Sequence, residues 1–239
     1  MFGKDYPSAY ADGFADFYYE RYKVTEGVLI PRPDTELLVE AALMLCGALK
    51  SPMGDVMKLT PSVLSKEIFM ADLCCGTGCV GISVSNALVR AGREVECLMY
   101  DVSDDAVKCA SSNLKVAMGK VSVIKKDILK KDIEVPKKLN LITSNPPYIT
   151  DDEMDELPVS VTYEPELALS GGKDGLVFYD RLCKIGISNL DTGGVLVVEH
   201  GYLQQEAVIG IFEKNGYSGV TGLKDYGGND RVVAGIWRG

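Results

Sequence analysis

The segment that most limits how this chain can fold is Asp72-Leu-Cys-Cys-Gly76-Thr-Gly78-Cys-Val-Gly81. It joins an apolar run at 68–73, which reads as a strand, to a helical run at 79–90. Strand, glycine-rich turn and helix in that order open a βαβ unit. Glycine reaches the positive-φ conformations that such a turn needs, and its missing Cβ lets a ligand approach the backbone. The alternation continues along the chain. Residues 95–100 read as a strand and 103–118 as a helix, with Ser103, Asp104 and Asp105 as an acidic helix start. Further strands are expected at 121–124, 139–144 and 195–199. A helix from about 175 to 190 leads to a turn at Asp191-Thr-Gly-Gly, and a helix at 204–215 ends with Gly216 at its C′ position. Residues 217–223 and 231–237 read as a closing antiparallel hairpin. The pattern predicts an α/β fold: a mostly parallel sheet of seven strands with helices on both faces. Ligands of such sheets sit beyond the carboxyl ends of the strands.

The first part of the chain breaks this rhythm. Residues 14–30 are aromatic-rich and read as a β-hairpin, Pro31-Arg32-Pro33 ends it, and 35–49 reads as an amphipathic helix. Residues 51–66 look like a linker with two prolines. The expected division is therefore a hairpin-and-helix extension at 1–66 and a main domain at 67–239.

The strand expected at 139–144 runs straight into Asn145-Pro146-Pro147-Tyr148. Two prolines fix two φ angles and remove two donors, so the chain leaves the sheet stiffly. The Asn145 amide and the Tyr148 ring are then held in place. An amide offers one acceptor and two donors in a plane, and the ring offers a flat wall. Together they suit a planar group carrying an NH2, such as another amide or the amino edge of a base, and the chemistry is expected at nitrogen.

Composition narrows the setting. With 25 Lys and Arg against 34 Asp and Glu the formal charge is -9, which argues against a broad nucleic-acid grip. The N-terminal Met1-Phe-Gly-Lys-Asp-Tyr-Pro lacks the apolar core of a signal peptide, and no apolar run reaches the ~18 residues of a membrane span. A cytoplasmic protein is expected. The seven cysteines, Cys46, Cys74, Cys75, Cys79, Cys97, Cys109 and Cys183, are odd in number and mostly in apolar segments, so reduced thiols are expected. Cys74, Cys75 and Cys79 lack metal-finger spacing, and no bound metal is expected.

The acids at the strand ends separate two cofactor classes. Asp72 stands four residues before Gly76, where a carboxylate can bind the cationic amino-acid end of S-adenosylmethionine. A pyrophosphate would gain nothing from it. Asp101 ends the second strand, where it can accept both hydroxyls of a ribose, which suits NAD equally. Asp127 follows the third strand and could meet an adenine amino group. The plain alternative for Asp101 and Asp127 is solvation of strand ends.

The glycine turn, the acid after strand two and Asn-Pro-Pro-Tyr after strand four together resemble class I methyltransferases that modify nitrogen. Val28-Leu-Ile-Pro-Arg-Pro-Asp-Thr-Glu36, Tyr163-Glu-Pro-Glu-Leu-Ala-Leu169 and Asp225-Tyr-Gly-Gly-Asn-Asp-Arg231 sharpen the resemblance. From about Pro7 onward the chain is similar to the HemK/PrmC-type peptide chain release factor glutamine N5-methyltransferases. The resemblance implies a class I methyltransferase sheet ending in an antiparallel hairpin, with S-adenosylmethionine as cofactor. It implies cofactor binding by Asp72, Gly76, Thr77, Gly78, Asp101, Asp127, Ile128 and Asn145. Catalysis would fall to Asn145, Pro146 and Tyr148, with Pro147, Arg32 and Pro33 also on the substrate. That substrate is the glutamine of the Gly-Gly-Gln segment in class 1 release factors, and a monomeric enzyme is expected. Family members usually carry an N-terminal helical domain that helps dock the release factor, whereas six residues precede Pro7 here. Ile128 stands where the family often has an aromatic residue beside adenine.

Rival readings remain at this point. An exocyclic amine of a flipped base would fit the same turn, a non-catalytic module would keep the fold without the reaction, and an oxidoreductase would use NAD. His200, the lone histidine, reads as structural. Glu164 and Glu166 could form a carboxylate pair, but ordering of their loop against Arg32 or Arg231 is the plainer reading. Asp151, Asp152, Glu153, Asp155 and Glu156 form an acidic run beside the catalytic turn, suited to a basic partner surface.

Overall fold

The computed structural model describes residues 3–50, 63 and 65–239. The chain opens with helix α1 (Ser8–Asp12), then strands β1 (Phe14–Phe17) and β2 (Glu20–Lys23), paired antiparallel. The hairpin ends at Lys23, short of the expected Ile30. Residues 24–32 leave it to be held by other elements: the Tyr10 hydroxyl donates to the Val28 carbonyl (2.7 Å) and the Ile30 N–H donates to Glu164 (2.9 Å). A 3-10 turn (Pro33–Thr35) leads into α2 (Glu36–Leu45). This helix is shorter than expected and is not amphipathic: after Glu36 all its residues except Glu40 are buried. It lies between α3 and the strands of the main sheet, so apolar residues are required nearly all round. Of the expected linker, 51–62 and 64 fall outside the described residues.

The main sheet is built from β3 (Glu67–Leu73), β4 (Glu94–Asp101), β5 (Lys120–Lys125), β6 (Leu139–Ser144), β7 (Leu190–Glu199), β8 (Ser218–Lys224) and β9 (Asp230–Ile236). Its strand order is β5-β4-β3-β6-β7-β9-β8. The first five strands are mutually parallel, and β9 runs antiparallel to both β7 and β8. The connecting helices are α3 (Cys79–Arg90), α4 (Asp104–Asn113), α5 (Asp151–Met154), α6 (Tyr179–Asn189) and α7 (Gln205–Lys214). Alternate strand residues feed two cores. Met70, Cys97, Met99, Leu141, Val195 and Val197 pack with α2 and α3. Phe69, Ala71, Leu98, Tyr100, Ile142, Leu196 and Val198 face the other way, toward α6 and α7. A period of two with both faces buried is what a parallel sheet between helices demands.

Three boundaries differ from the sequence expectation, and one short helix is added. Helix α4 stops at Asn113 and relaxes to a 3-10 turn (Leu114–Val116). There the Asn113 amide bonds the backbone of Lys23 and the carbonyl of Thr77. Helix α6 starts at Tyr179 because Gly175 adopts φ +70° ahead of it. The expected turn at 191–194 is part of β7, with a register shift against β6 and Gly193 at φ +87°. Helix α5 had no counterpart in the reading. Its capping box, Thr150 with Glu153, supports a single exposed turn.

Candidate active site

The carboxyl ends of β5, β4, β3 and β6 lie side by side. They carry, in that order, Asp127, Asp101, Asp72 and Asn145 at or just beyond the strand ends. Three interstrand steps of ~4.8 Å make this row ~14 Å long. It borders a cavity of about 320 Å³ where the sheet order reverses about β3.

The glycine turn forms the cavity floor. Gly78 caps α3 at φ +80°, with Met99 Cε only 3.0 Å from where a Cβ would stand, so both conformation and space require glycine. At Gly81 a Cβ would meet Met99 Sδ at 2.9 Å and Asp72 Cβ at 3.0 Å, and helix α3 therefore sits directly on β3 and β4. Cys74 adopts φ +59°, unusual for a residue with a Cβ. Burial pushes the thiols of Cys74, Cys75 and Cys79 up, so they line the cavity as small apolar groups.

Asp72 is 1% exposed. Its carboxylate accepts from the Gly81 N–H (3.0 Å) and the Thr143 hydroxyl (2.8 Å). Burial pushes its pKa up to about 7, with those two hydrogen bonds pulling the other way. Asp101 accepts from the N–H groups of Gly76 and Ser103, both at 2.9 Å, and burial raises its pKa against them. Asp127 is partly exposed at the edge. Its hydrogen bond from Lys130 (3.0 Å) holds its carboxyl below the ordinary value.

Asn145 stands at the other end of the row. Its Nδ2 donates to the Thr35 hydroxyl at 3.2 Å, which leaves Oδ1 as the free acceptor. The turn behind it is clamped. The Gln204 side chain donates to the Tyr148 carbonyl (2.9 Å), the Tyr148 hydroxyl donates to Glu199 (3.2 Å), and Ile149 pairs with Leu169 and Gly171 through backbone bonds. Opposite, the Arg32 guanidinium donates to the buried Glu164, whose second oxygen takes the Ile30 N–H. The 163–169 segment is thus tied to the 28–32 segment, and Pro165, Leu167 and Ala168 join the cavity wall. Glu164 orders its loop against Arg32, as the plainer sequence reading had it, while Arg231 pairs with Asp225 and Asp34.

Of the sequence-predicted residues, Asp72, Gly76, Thr77, Asp101, Asp127, Ile128, Asn145, Pro147 and Arg32 line the cavity. Gly78, Pro146, Tyr148 and Pro33 do not. Gly78 lies beneath the floor. Pro33 opens the 3-10 turn. Tyr148 has its ring packed against the core under α6 and α7 and its hydroxyl on Glu199. His200 is buried with Nδ1 on the Gly201 carbonyl, away from the cavity lining. The supports that sequence reasoning missed are Thr35, Glu199, Gln204 and Gly171.

The cavity fits S-adenosylmethionine better than a dinucleotide. The Gly81 N–H at the start of α3, a donor that a phosphate would use, is already taken by Asp72. The three cations lining the cavity are ion-paired: Arg32 with Glu164, Lys126 with Glu134 and Lys130 with Asp127. A buried carboxylate suits an ammonium or sulfonium, and Ile128, Leu129 and Phe178 supply apolar surface for a base.

Comparison with known proteins agrees. Residues 57–161 match the model of the Methyltransferase small domain family. Two solved structures share the fold: ribosomal protein L11 methylase from Lactobacillus delbrueckii subsp. bulgaricus and a methyltransferase from Pyrococcus furiosus. The first has a TM-score of 0.55 at 17% identity, covering 90% of this chain and 84% of that one. The second has a TM-score of 0.54 at 16% identity, covering 85% and 98%. Among curated proteins, the release factor glutamine methyltransferase of Clostridium botulinum is 35% identical, the match covering 95% of this chain and 74% of the relative. The enzyme of the same name from Pasteurella multocida is 34% identical, covering 98% and 77%. With the cofactor cradle and the Asn-Pro-Pro-Tyr turn in one cavity, and this identity across nearly its whole length, the chain belongs to the release factor glutamine methyltransferase family.

Proposed function

We propose that this chain methylates the side-chain nitrogen of the glutamine in the Gly-Gly-Gln segment of class 1 release factors, working in the cytoplasm with S-adenosylmethionine. The observation that carries this reading is the Asn145 amide. It is rigidly mounted at the end of the acidic row, with its nitrogen engaged by Thr35 and its oxygen free. A primary amide nitrogen needs acceptors that orient it, and Asn145 Oδ1 is one. In this reading the second acceptor is the backbone carbonyl of Pro146, next to Asn145 on the same turn, although Pro146 itself lies outside the cavity lining.

When bound, S-adenosylmethionine supplies an electrophilic methyl group on a sulfonium, a leaving group that needs no acid. Asp72, Gly76, Thr77, Asp101, Asp127 and Ile128 would hold it, with Gly78 shaping the turn beneath them. The chain's own contribution is orientation. Two acceptors on the substrate N–H bonds turn the nitrogen toward its electrophile and draw electron density onto it. As the nitrogen becomes cationic, the same acceptors stabilise it electrostatically. The nitrogen then loses its proton to solvent, since the neighbouring carboxylate of Asp72 is engaged by the Gly81 N–H and the Thr143 hydroxyl. Pro147 and Arg32 border the substrate amide. Tyr148 supports the turn from behind, and Pro33 fixes the segment that carries Arg32.

The deciding experiment is methyl transfer from labelled S-adenosylmethionine to a purified class 1 release factor, beside a control whose Gly-Gly-Gln glutamine is replaced. Label on the first and none on the second is expected. Label on neither, with cofactor binding intact, would overturn the reading, and label on an oligonucleotide instead would turn it toward a base amine.

A further inference from the structure

Asn145 is useful only if its oxygen, and not its NH2, faces the substrate. The two arrangements differ by a half-turn of a nearly symmetric amide, so shape alone selects weakly between them. What selects must be a hydrogen-bond partner of fixed polarity. Thr35, 2% exposed, is the partner in place, yet a hydroxyl is both donor and acceptor and cannot choose by itself. The choice passes to whatever takes the Thr35 hydrogen.

That group is at hand. Glu199, at the end of β7, is 1% exposed and lies under the Asn-Pro-Pro-Tyr turn. Its Oε1 accepts from the Tyr148 hydroxyl (3.2 Å), while its Oε2 is buried without a hydrogen-bond partner. The Thr35 hydroxyl is a hydrogen-bonding neighbour of that carboxyl and favours its ionised form. The charged groups acting on Glu199 are Arg231 on β9, tied to Asp225 and Asp34, and Asp34 itself, which opposes ionisation. Arg231 favours the ionised form of Glu199.

We infer that Glu199 and Thr35 are positioning residues: ionised Glu199 takes the Thr35 hydrogen, Thr35 must then accept from Asn145 Nδ2, and Asn145 Oδ1 is thereby turned to the substrate. This rests on the role given to Asn145 under the proposed function. A carboxylate has no donor, so the polarity of the relay cannot reverse. A protonated carboxyl or a glutamine amide can donate to Thr35, which frees Thr35 to donate to Asn145 Oδ1 and turns the NH2 toward a substrate that itself brings only N–H groups. Burial pushes the Glu199 pKa up to about 7, so this relay is expected to fail as pH falls through neutrality.

The test compares Thr35→Val, Thr35→Ser and Glu199→Gln with the wild type. It measures kcat and KM for the release factor, affinity for S-adenosylhomocysteine, melting temperature, and exchange of the Asn145 side-chain amide protons by NMR. Thr35→Val should lower kcat at least about tenfold, and Thr35→Ser should recover most of it, with cofactor affinity within about twofold of wild type. Glu199→Gln should lower kcat similarly and abolish the loss of activity that the wild type shows on the acidic side of neutrality. Amide exchange at Asn145 should quicken in Thr35→Val and not in Thr35→Ser, whether or not the chosen factor is a substrate. Wild-type kcat in Thr35→Val or Glu199→Gln, or unchanged amide exchange in Thr35→Val, would overturn the inference. A wild type that binds cofactor but leaves the factor unlabelled would overturn the proposed substrate instead.

Discussion

Gly171 lies against the backbone of Tyr148: a Cβ at 171 would stand 2.7 Å from Tyr148 Cα and 2.9 Å from the Pro147 carbonyl oxygen. Both are backbone atoms, which cannot give by a side-chain rotation, and the clamp from Gln204 and the pairing of Ile149 hold the same turn in place. Gly171→Ala is therefore expected to displace the Asn-Pro-Pro-Tyr turn. A displacement of ~1 Å at a positioning group costs about 100-fold in rate, so kcat should fall by that order while the protein still folds. The stability loss should be about 1–3 kcal/mol. Steady-state kinetics beside a melting curve checks both, and a variant with lowered melting temperature but unchanged kcat would show that the turn is not set by this contact.

Asp72 gives a pH dependence whose sign follows from its burial. Its pKa of about 7 in the folded protein lies above the ordinary 3.8. Between those values the folded state holds a proton that the unfolded state has lost, so raising pH through that window destabilises the ligand-free protein. Glu199, also raised to about 7, adds to the same trend. Cofactor binding should reverse it at Asp72, because a cationic ligand beside the carboxylate favours the ionised form. Calorimetry at about pH 6.5 in buffers of different ionisation enthalpy should find a proton released on binding. Asp72→Asn should abolish the release and weaken binding at least about tenfold. Equal proton release in the variant would place the titrating group elsewhere.

The sheet was legible because its strands are short apolar runs closed by glycine, asparagine or acid, and β6 begins and ends at the residues expected, Leu139 and Ser144. The acids of the cofactor row were legible for the same reason, since each marks where a strand stops. What stayed hidden depends on pairs distant in sequence. Thr35 and Asn145 are 110 residues apart, Tyr148 and Glu199 are 51 apart, and Ile30 and Glu164 are 134 apart. Nothing local announces such a pair. The nature of α2 was misread likewise. Its polar positions Glu36 and Glu40 suggest a wet face, yet Glu36 accepts from the Tyr18 N–H and Glu40 from the Tyr226 hydroxyl, so both are engaged by neighbouring loops.

Glu164 joins two segments of the cavity mouth, taking the Ile30 N–H on one oxygen and the Arg32 guanidinium on the other. Glu164→Ala removes both acceptors and strands a backbone donor and a cation, at a cost of about 1–3 kcal/mol. The segments at 28–32 and 163–169 should then part, raising KM for the release factor several-fold with less effect on cofactor affinity. Titration with the protein substrate and with S-adenosylhomocysteine separates the two effects. An equal loss of both affinities would show that the tie shapes the whole cavity.

Helix α5 carries Asp151, Asp152 and Glu153, with Asp155 and Glu156 directly after it, and all five are exposed. Glu153 is committed to the capping box through its contacts with the Thr150 N–H and hydroxyl, whereas Asp152 and Asp155 have no such task in that cap. The run follows directly on the Asn-Pro-Pro-Tyr turn, so its field acts on whatever approaches Asn145. If it draws in a basic surface around the target glutamine, Asp152→Lys with Asp155→Lys should raise KM for the release factor at low salt and leave kcat nearly unchanged. The difference should shrink as ionic strength brings the Debye length down to ~8 Å. Keeping Glu153 preserves the cap, so melting should not move by more than the small amounts typical of surface changes. Kinetics across a salt series decides the matter: KM values of wild type and double variant that coincide even at the lowest salt would reduce the acidic run to a solvated surface.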